Sequence, residues 1–261
     1  MTDFKTIKFA IDNRVATITL NRPDEANGLN QDMANELNEA AIKCDNNDDI
    51  KAVIITAQGR FFCAGGDVKA MQDFDGKNGE GVKRLADELH RALSVFARMD
   101  VPVVTAINGT AAGAGFSMAI TGDLVVAVES AKFTMAYTKI GLSPDGSSSY
   151  YLPRLVGLRR TQELMLTNRV LSALEAMDWG LVTKVVADDD LMTEANKMAQ
   201  IFVDGAKESN AMVKKLLLSS FDNSFETQME LEGRGIAACG NSLNGIEGVA
   251  SFVDKRKPSF S

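Results

Sequence analysis

Three short runs of apolar residues, rich in Val and Ile, constrain the fold more than any other feature of the chain. They are AVIITA at 52–57, VPVVTAI at 101–107 and DLVVAV at 123–128. Continuous apolar runs of this length are typical of strands buried on both faces of a sheet. Helical patterns lie between them, notably at 82–99. Strands that alternate with helices predict an α/β fold with a largely parallel sheet.

The two ends of the chain have different patterns. At the start, apolar and polar residues alternate on both sides of Asp12-Asn13, which predicts a hairpin with a two-residue turn. Met33, Leu37 and Ala41 then share one helical face. After about residue 157 the segments are helix-like, apart from a predicted strand in LVTKVVA at 181–187. We therefore place a boundary near residue 200, between an α/β core at 1–200 and a helical region at 201–261.

The composition disfavours several classes of function. A formal net charge of −7 over 261 residues disfavours binding to nucleic acid or to an anionic membrane. No apolar run approaches the ~18 residues of a membrane span. The first residues lack the pattern of a secretory signal or transit peptide, so we expect a cytoplasmic protein. Cys44, Cys63 and Cys239 are widely spaced, which argues against a disulfide framework or a zinc site.

Two glycine-rich segments each lie between a predicted buried strand and a helical pattern. They are GRFFCAGGDVKAM at 59–71 and NGTAAGAGFSMAI at 108–120. Backbone N–H groups at the start of a helix have no partner within the helix, so they suit an anion or a developing oxyanion. Small residues also permit tight turns, and each segment alone fits that plainer interpretation. A dinucleotide-binding fingerprint is not supported, because Met118 stands where its third glycine or alanine belongs.

Few residues are candidates for acid and base chemistry. The chain has no GxSxG, HExxH or P-loop motif, and its one histidine, His90, lies within a helical pattern, where a structural role is commoner. Asp145 stands in SPDG, a favoured surface-turn sequence. A carboxylate held in apolar surroundings would be a better general base. Five apolar or aromatic residues flank this turn, so both interpretations stay open: Ile140, Leu142, Tyr150, Tyr151 and Leu152.

Six segments taken together closely resemble the enoyl-CoA hydratase/isomerase family, the crotonases. They are ITLNRPDEANGLN, GRFFCAGGDVKAM, VPVVTAINGTAAGAGFSMAITGDLVVA, AKFTMAYTKIGLSPDG, LMLTNRVLSALEAMDWGLVTKVV and EGVASFVDKRKPSF, in the family's order over nearly the whole chain. The resemblance implies a crotonase (ClpP-like) superhelix of ββα units with a helical C-terminal region. It also implies a homotrimer or homohexamer, with 201–261 as the trimerisation region.

The resemblance further implies an acyl-CoA site. Crotonases stabilise a thioester enolate between two backbone N–H groups, which the resemblance carries to Ala64 and Ala114. The coenzyme A channel is then expected at Gly65, Gly66, Asp67 and Val68. Phe252 and Lys255 of the closing helix would add contacts with coenzyme A, often from a neighbouring subunit. No permanently bound cofactor and no metal is implied, because coenzyme A enters as part of the thioester substrate.

Two substitutions bear on the reaction. Hydratases of the family use two glutamates, and those positions here hold Ser117 and Tyr137. A neutral hydroxyl cannot replace a carboxylate as a base at neutral pH, so ordinary hydration is disfavoured. Asp145 stands where isomerases of the family carry their acid. The resemblance therefore implies an enoyl-CoA isomerase that shifts a double bond, or opens a small ring, with Asp145 as the proton shuttle.

Other reactions stay open at this point. The family's 4-chlorobenzoyl-CoA dehalogenases use an Asp in this loop as nucleophile, a His on the long helix to activate water, and a Trp that faces the Asp. Asp145, His90 and Tyr137 occupy those places. An atypical hydratase and a non-catalytic protein that binds coenzyme A are further alternatives. The acyl group is unspecified, and we expect these side chains to line its pocket: Met71, Phe74, Phe116, Met135, Tyr150 and Tyr151.

Overall fold

The computed structural model describes residues 4–71 and 78–261, and these residues form ten strands and ten α-helices. The strands are β1 (Ile7–Asp12), β2 (Val15–Leu20), β3 (Ala52–Ala57), β4 (Phe61–Cys63), β5 (Val103–Ile107), β6 (Thr110–Ala112), β7 (Leu124–Val128), β8 (Lys132–Thr134), β9 (Leu171–Ser172) and β10 (Lys184–Val186). The helices are α1 (Gln31–Asp45), α2 (Val68–Met71), α3 (Asn78–Arg98), α4 (Ala114–Ala119), α5 (Ser148–Thr167), α6 (Ala173–Asp178), α7 (Leu191–Val203), α8 (Lys207–Ser219), α9 (Phe225–Asn241) and α10 (Leu243–Val253).

Two sheets organise the core. The larger sheet has the order β1-β2-β3-β5-β7-β10, and β1 is its one antiparallel strand. The smaller sheet has the order β4-β6-β8-β9, and β9 is its one antiparallel strand. The pairs β3–β4, β5–β6 and β7–β8 each give one strand to each sheet, and a helical segment follows each pair. The chain therefore winds as the repeated ββα turns that we expected.

The three apolar runs form β3, β5 and β7, at the centre of the larger sheet. Their pairing is parallel, with Val53 opposite Val103 and Val104 opposite Leu124. β5 begins after Pro102, which has no N–H to donate to the ladder and accepts a hydrogen bond from Val53 instead. Every residue of β5 is buried, as are all residues of β3 except the last. The prediction of strands covered on both faces is confirmed for these elements.

The N-terminal hairpin is present, but its turn lies one residue later than predicted. Asn13 and Arg14 form the turn, with φ values of 48° and 68°. A two-residue turn of this kind needs positive φ at both positions, and asparagine accepts that conformation more readily than most residues. The helix that follows is α1, and it buries Met33, Leu37 and Ala41 against the core as the periodicity indicated.

After β10 the described chain contains helices and their connections and no further strand. The boundary predicted near residue 200 falls inside α7, which packs against β3, β5 and β7, and the division into two domains stays a prediction. Helices α9 and α10 leave large apolar side chains in solvent, including Ile236, Leu243 and Phe252, which are 75%, 79% and 85% exposed. No helix within the described ranges has the length and apolarity that a membrane crossing requires.

Candidate active site

Two turns of the smaller sheet lie in contact, and glycines make this contact possible. A Cβ atom on Gly115, in the first turn of α4, would lie 2.2 Å from the carbonyl oxygen of Cys63 at the end of β4. Gly65 has a φ of 100°, and a Cβ there would lie 3.0 Å from the carbonyl oxygen of Ala112. Both positions therefore need glycine. The close approach brings the turn at 64–67 beside the start of α4.

The amide of Ala64 is not free to bind a ligand. Its N–H donates to the carbonyl oxygen of Ala26 at 3.0 Å, so the prediction of an oxyanion donor at Ala64 conflicts with this geometry. Gly66 has the opposite arrangement. Leu29 bonds to the two residues that flank Gly66: its N–H donates to the Gly65 carbonyl and its carbonyl accepts from the Asp67 amide, both at 2.8 Å. In such a parallel bridge the N–H of the central residue points away from its neighbour.

Two unpaired amides therefore face the same space. Among the described residues, neither Gly66 nor Ala114 has an acceptor for its N–H. Ala114 is the first residue of α4, where no carbonyl of the helix can accept from its amide. Both residues line a cavity of about 540 Å³, which we call the amide cavity and whose wall also includes His90, Tyr137 and Asp145. The N–H of Ala114 is thus unpaired at this cavity, and the second unpaired N–H belongs to Gly66 and not to Ala64.

Asp145 reaches the amide cavity within a network of hydroxyl groups. Tyr137 Oη donates to Asp145 Oδ1 at 2.6 Å, and Ser117 Oγ lies 2.9 Å from Tyr137 Oη. Ser117 and Ser148 each donate to the backbone carbonyl of Asp145 at 2.9 Å. Because Oδ2 has no hydrogen bond from a described residue, this oxygen is the one left to exchange a proton with a ligand. The turn is therefore more than a solvated surface turn.

Tyr137 acts on this carboxylate as a neutral donor. Burial, reinforced by the negative charge of Asp145, raises the pKa of Tyr137 far above its ordinary value. The phenol is 8% exposed and keeps its proton at any physiological pH. Ser117 Oγ is fully buried between the phenolic oxygen and the Asp145 carbonyl, and its single proton goes to one of them at a time. Ser117 and Tyr137 are thus neutral hydroxyl groups, and both donate to Asp145.

His90 lies beside the same loop, but its ring is already engaged. The backbone N–H of Gly146 donates to His90 Nε2 at 3.0 Å, so this nitrogen carries no proton and its lone pair is occupied. The side chain is exposed on α3 and lines the wall next to Asp145. In this arrangement His90 anchors the loop that carries Asp145.

A second cavity adjoins the first at His90 and Asp145. It measures about 920 Å³, and we call it the distal cavity; its wall runs along α3, the start of α5 and α8. Tyr150 and Tyr151 line it, while Met71 lines the amide cavity, as expected for acyl-binding residues. The same expectation was wrong for Phe116 and Met135, which are fully buried in the core. Phe74 lies outside the described residues.

The residues predicted to bind coenzyme A are not all together. Gly65, Gly66 and Val68 line the amide cavity. Asp67 instead pairs with Arg22 at 2.8 Å, and this ion pair fastens the turn at 64–67 to the loop after β2. Phe252 and Lys255 are exposed at the end of α10 and line neither cavity within one chain.

Sequence reasoning missed two contacts here. One sequence signal could have assigned the unpaired amide to Gly66 and not to Ala64: the glycine pair Gly65-Gly66 that follows shortly after β4. The anchoring of Gly146 by His90 had none, because the two residues are separated by the end of α3, four strands and α4.

Comparison with known proteins identifies the family of this site. A family model described as enoyl-CoA hydratase/isomerase matches residues 10–261. The chain belongs to the enoyl-CoA hydratase/isomerase family. The 1,2-epoxyphenylacetyl-CoA isomerase of Escherichia coli is 36% identical to it, with 96% of each chain covered. A 4-chlorobenzoyl coenzyme A dehalogenase of Arthrobacter is 32% identical, with 94% of this chain and 89% of the relative covered.

A solved structure agrees with this assignment. The enoyl-CoA hydratase from Polaromonas sp. JS666 matches this fold with a TM-score of 0.94 at 33% sequence identity, over 98% of this chain and 99% of that chain. The predicted crotonase fold is confirmed, and the chain is an acyl-CoA-processing enzyme of that family. The relatives are named as isomerase, dehalogenase and hydratase, so membership does not select the reaction. That choice depends on the residues of the site.

Proposed function

We propose that this crotonase is an acyl-CoA isomerase, which shifts a double bond, or opens a small ring, next to the thioester. One observation supports this above the others: among the described residues that line the amide cavity, Asp145 is the only carboxylate. A proton shuttle needs one such group, whereas the two-glutamate addition of water needs two. Ser117 and Tyr137 are neutral hydroxyls at the two glutamate positions and do not supply the second acid.

The proposed reaction for a double-bond shift uses Asp145 twice. The N–H groups of Gly66 and Ala114 donate to the thioester oxygen. Asp145 Oδ2 removes a proton from the carbon beside the thioester, and the electron pair moves onto that oxygen as an enolate, which the two amides stabilise. The protonated carboxyl then returns the proton to a carbon further along the chain as the electron pair moves back. Product and substrate have the same mass.

The proposal extends to coenzyme A and to assembly. Phe252 and Lys255 are remote from the amide cavity of their own chain, so we place their contact with coenzyme A across an interface between copies. The exposed apolar side chains of α9 and α10 supply surface for such an interface, since patches of this kind are typical of protein contacts. A homotrimer or homohexamer by sedimentation would support this part, and a monomer would contradict it.

A hydrolytic reaction is the second candidate. His90 and Asp145 line the same two cavities, as a nucleophilic aspartate and a water-activating histidine would require. To act as a base at Nε2, however, His90 must first give up the hydrogen bond from Gly146. Chloride release from 4-chlorobenzoyl-CoA, abolished in His90→Gln, would favour this candidate over isomerisation.

The test of the isomerase proposal is a change of structure without a change of mass. The enzyme is mixed with 3-enoyl-CoA thioesters of several chain lengths and with an epoxide thioester, and products are followed by the absorbance of the conjugated thioester and by mass spectrometry. We expect an isomer of unchanged mass. A gain of one water would indicate an atypical hydratase, and no turnover with intact binding would indicate a non-catalytic protein.

A matched pair of variants assigns the proton shuttle. Asp145→Asn keeps the size of the side chain and an acceptor for Tyr137, so the fold is retained while the base is lost. We expect turnover to fall by at least about a thousandfold, at the upper part of the range for a general base. The control is Asp178→Asn on α6, an exposed carboxylate that lines neither cavity. Equal activity of the two variants would refute the role of Asp145.

A further inference from the structure

One face of α3 forms a continuous wall from the acid to the far end of the distal cavity. Its lining residues are His90, Leu93, Ser94, Ala97 and Arg98, which follow the i, i+3, i+4 spacing of a single helical face. His90 and Arg98 are two turns apart, so their Cα atoms differ by ~12 Å along the axis. A group that extends past Asp145 along this face therefore travels towards Arg98.

Arg98 carries a positive charge that no described carboxylate neutralises. Its one side-chain hydrogen bond among the described residues goes from Nη1 to Ser94 Oγ at 2.6 Å, which holds the guanidinium beside the preceding turn of α3. None of the ion pairs among the described residues includes Arg98. A guanidinium has five N–H donors, so most of its donors are available to a ligand.

The other charged groups on this wall are already paired. Lys215 contacts Asp100 at 2.7 Å, and Asp222 contacts Arg154 at 3.5 Å. With His90 held as a neutral acceptor, Arg98 is the one cation of the distal cavity without an acidic partner among the described residues. An anionic group in this cavity would therefore meet a net attraction at its far end and the repulsion of Asp145 at its near end.

Tyr151 adds a second donor. It lines the distal cavity, and its hydroxyl has no hydrogen-bond partner among the described residues. Burial, together with the negative charge of Asp123, raises the pKa of Tyr151, so the phenol stays protonated and able to donate. Arg98 and Tyr151 line the same cavity, so a ligand there faces both side chains.

We infer that the distal cavity recognises an acyl group that ends in a carboxylate, with Arg98 and Tyr151 as the residues that determine this specificity. The inference rests on the proposed function, because it takes the thioester to lie at the two amides and the acyl chain to pass Asp145. A terminal carboxylate accepts charge-assisted hydrogen bonds from a guanidinium with good geometry. The apolar part of the chain packs against Leu93, Ala97 and the aromatic rings.

The test compares substrates that differ only in their terminal group. Unsaturated acyl-CoA thioesters of increasing chain length are prepared as terminal acids and as the corresponding methyl esters. At the best length we expect kcat/KM for the acid to exceed that for the ester by at least about tenfold. Arg98→Gln should bring this ratio close to one, mainly by raising KM for the acid, and Tyr151→Phe should reduce it in part. Arg91→Gln, at a residue of α3 that lines neither cavity, should leave the ratio unchanged.

Binding separates this inference from the proposed reaction. Saturated forms of the same thioesters are titrated into Asp145→Asn by calorimetry, which needs no turnover. Tighter binding of the acid, lost in Arg98→Gln, supports the recognition site even if isomerisation is never observed. Acid and ester that bind equally at every length, or an Arg98→Gln change that weakens both to the same extent, would overturn it.

Discussion

Removal of the Tyr137 hydroxyl tests whether the network around Asp145 orients the acid. Tyr137→Phe deletes the 2.6 Å hydrogen bond to Oδ1, which is the only side-chain hydrogen bond of this carboxylate among the described residues. Hydrogen bonds to a charged group contribute ~1.5–3 kcal/mol. If that amount is lost from the transition state, kcat falls by about 10- to 150-fold. The freed carboxylate would rotate, and we expect this loss of orientation to outweigh any gain in basicity.

The assay is steady-state isomerisation by Tyr137→Phe, with chemical denaturation run in parallel. We expect KM to change by less than about threefold, since the proton of the phenol goes to Asp145 and is not available to the substrate. Stability should fall by ~1–2 kcal/mol, since Ser117 still donates to the Asp145 carbonyl. A kcat within about twofold of the parent enzyme would refute the orienting role, provided that the variant remains folded.

Tyr137→Phe should also change how the free energy of unfolding depends on pH in alkaline solution. Burial, and then the charge of Asp145, raises the pKa of Tyr137 above its ordinary value of 10.0. The unfolded chain therefore releases this proton first, so the contribution to stability is complete below pH 10.0 and decreases as the pH rises above it. We expect the free energy of unfolding of Tyr137→Phe to decline less steeply between about pH 9 and about pH 11 than that of the parent. Identical slopes would contradict this.

Three further predictions concern packing and burial. Lys214→Met should lower the free energy of unfolding by ~3–5 kcal/mol, because the buried ammonium donates to two backbone carbonyls and pairs with Asp123 at 2.9 Å. Lys215→Met, at the exposed neighbour, should lower it by less than ~1 kcal/mol. Equal losses in the two variants would contradict this prediction. Gly115→Ala should lower both stability, by ~1–3 kcal/mol, and turnover, while Gly233→Ala, with open space around its Cβ position, should lower neither. Only Cys239 should react with a thiol reagent at neutral pH in the native enzyme, because burial raises the pKa of Cys63 to about 11 and that of Cys44 to about 12. A second rapidly reacting thiol would argue against this.

The order of elements could be predicted from the sequence because it depends on local patterns. The runs that form β3, β5 and β7 are almost entirely apolar and rich in β-branched residues, which is typical of strands covered on both faces. The turn at Asn13 was misplaced by one residue, because several neighbouring residues tolerate a turn and the strand register decides between them. The acid was also identifiable, since Asp145 is a distinctive side chain in a recognisable loop.

What the tertiary structure decided is the partner of each group. Every residue except proline carries an N–H, so no sequence pattern distinguishes a paired amide from a free one. The amide of Ala64 is occupied because Ala26, distant in sequence, places a carbonyl against it, and the amide of Gly66 is free because Leu29 bridges to its neighbours. The cation at Arg98 likewise became significant only when the fold left it beside a cavity without an acid. The sequence by itself thus determined the strands and the identity of the acid, while long-range pairing determined which donors and charges remain available to a substrate.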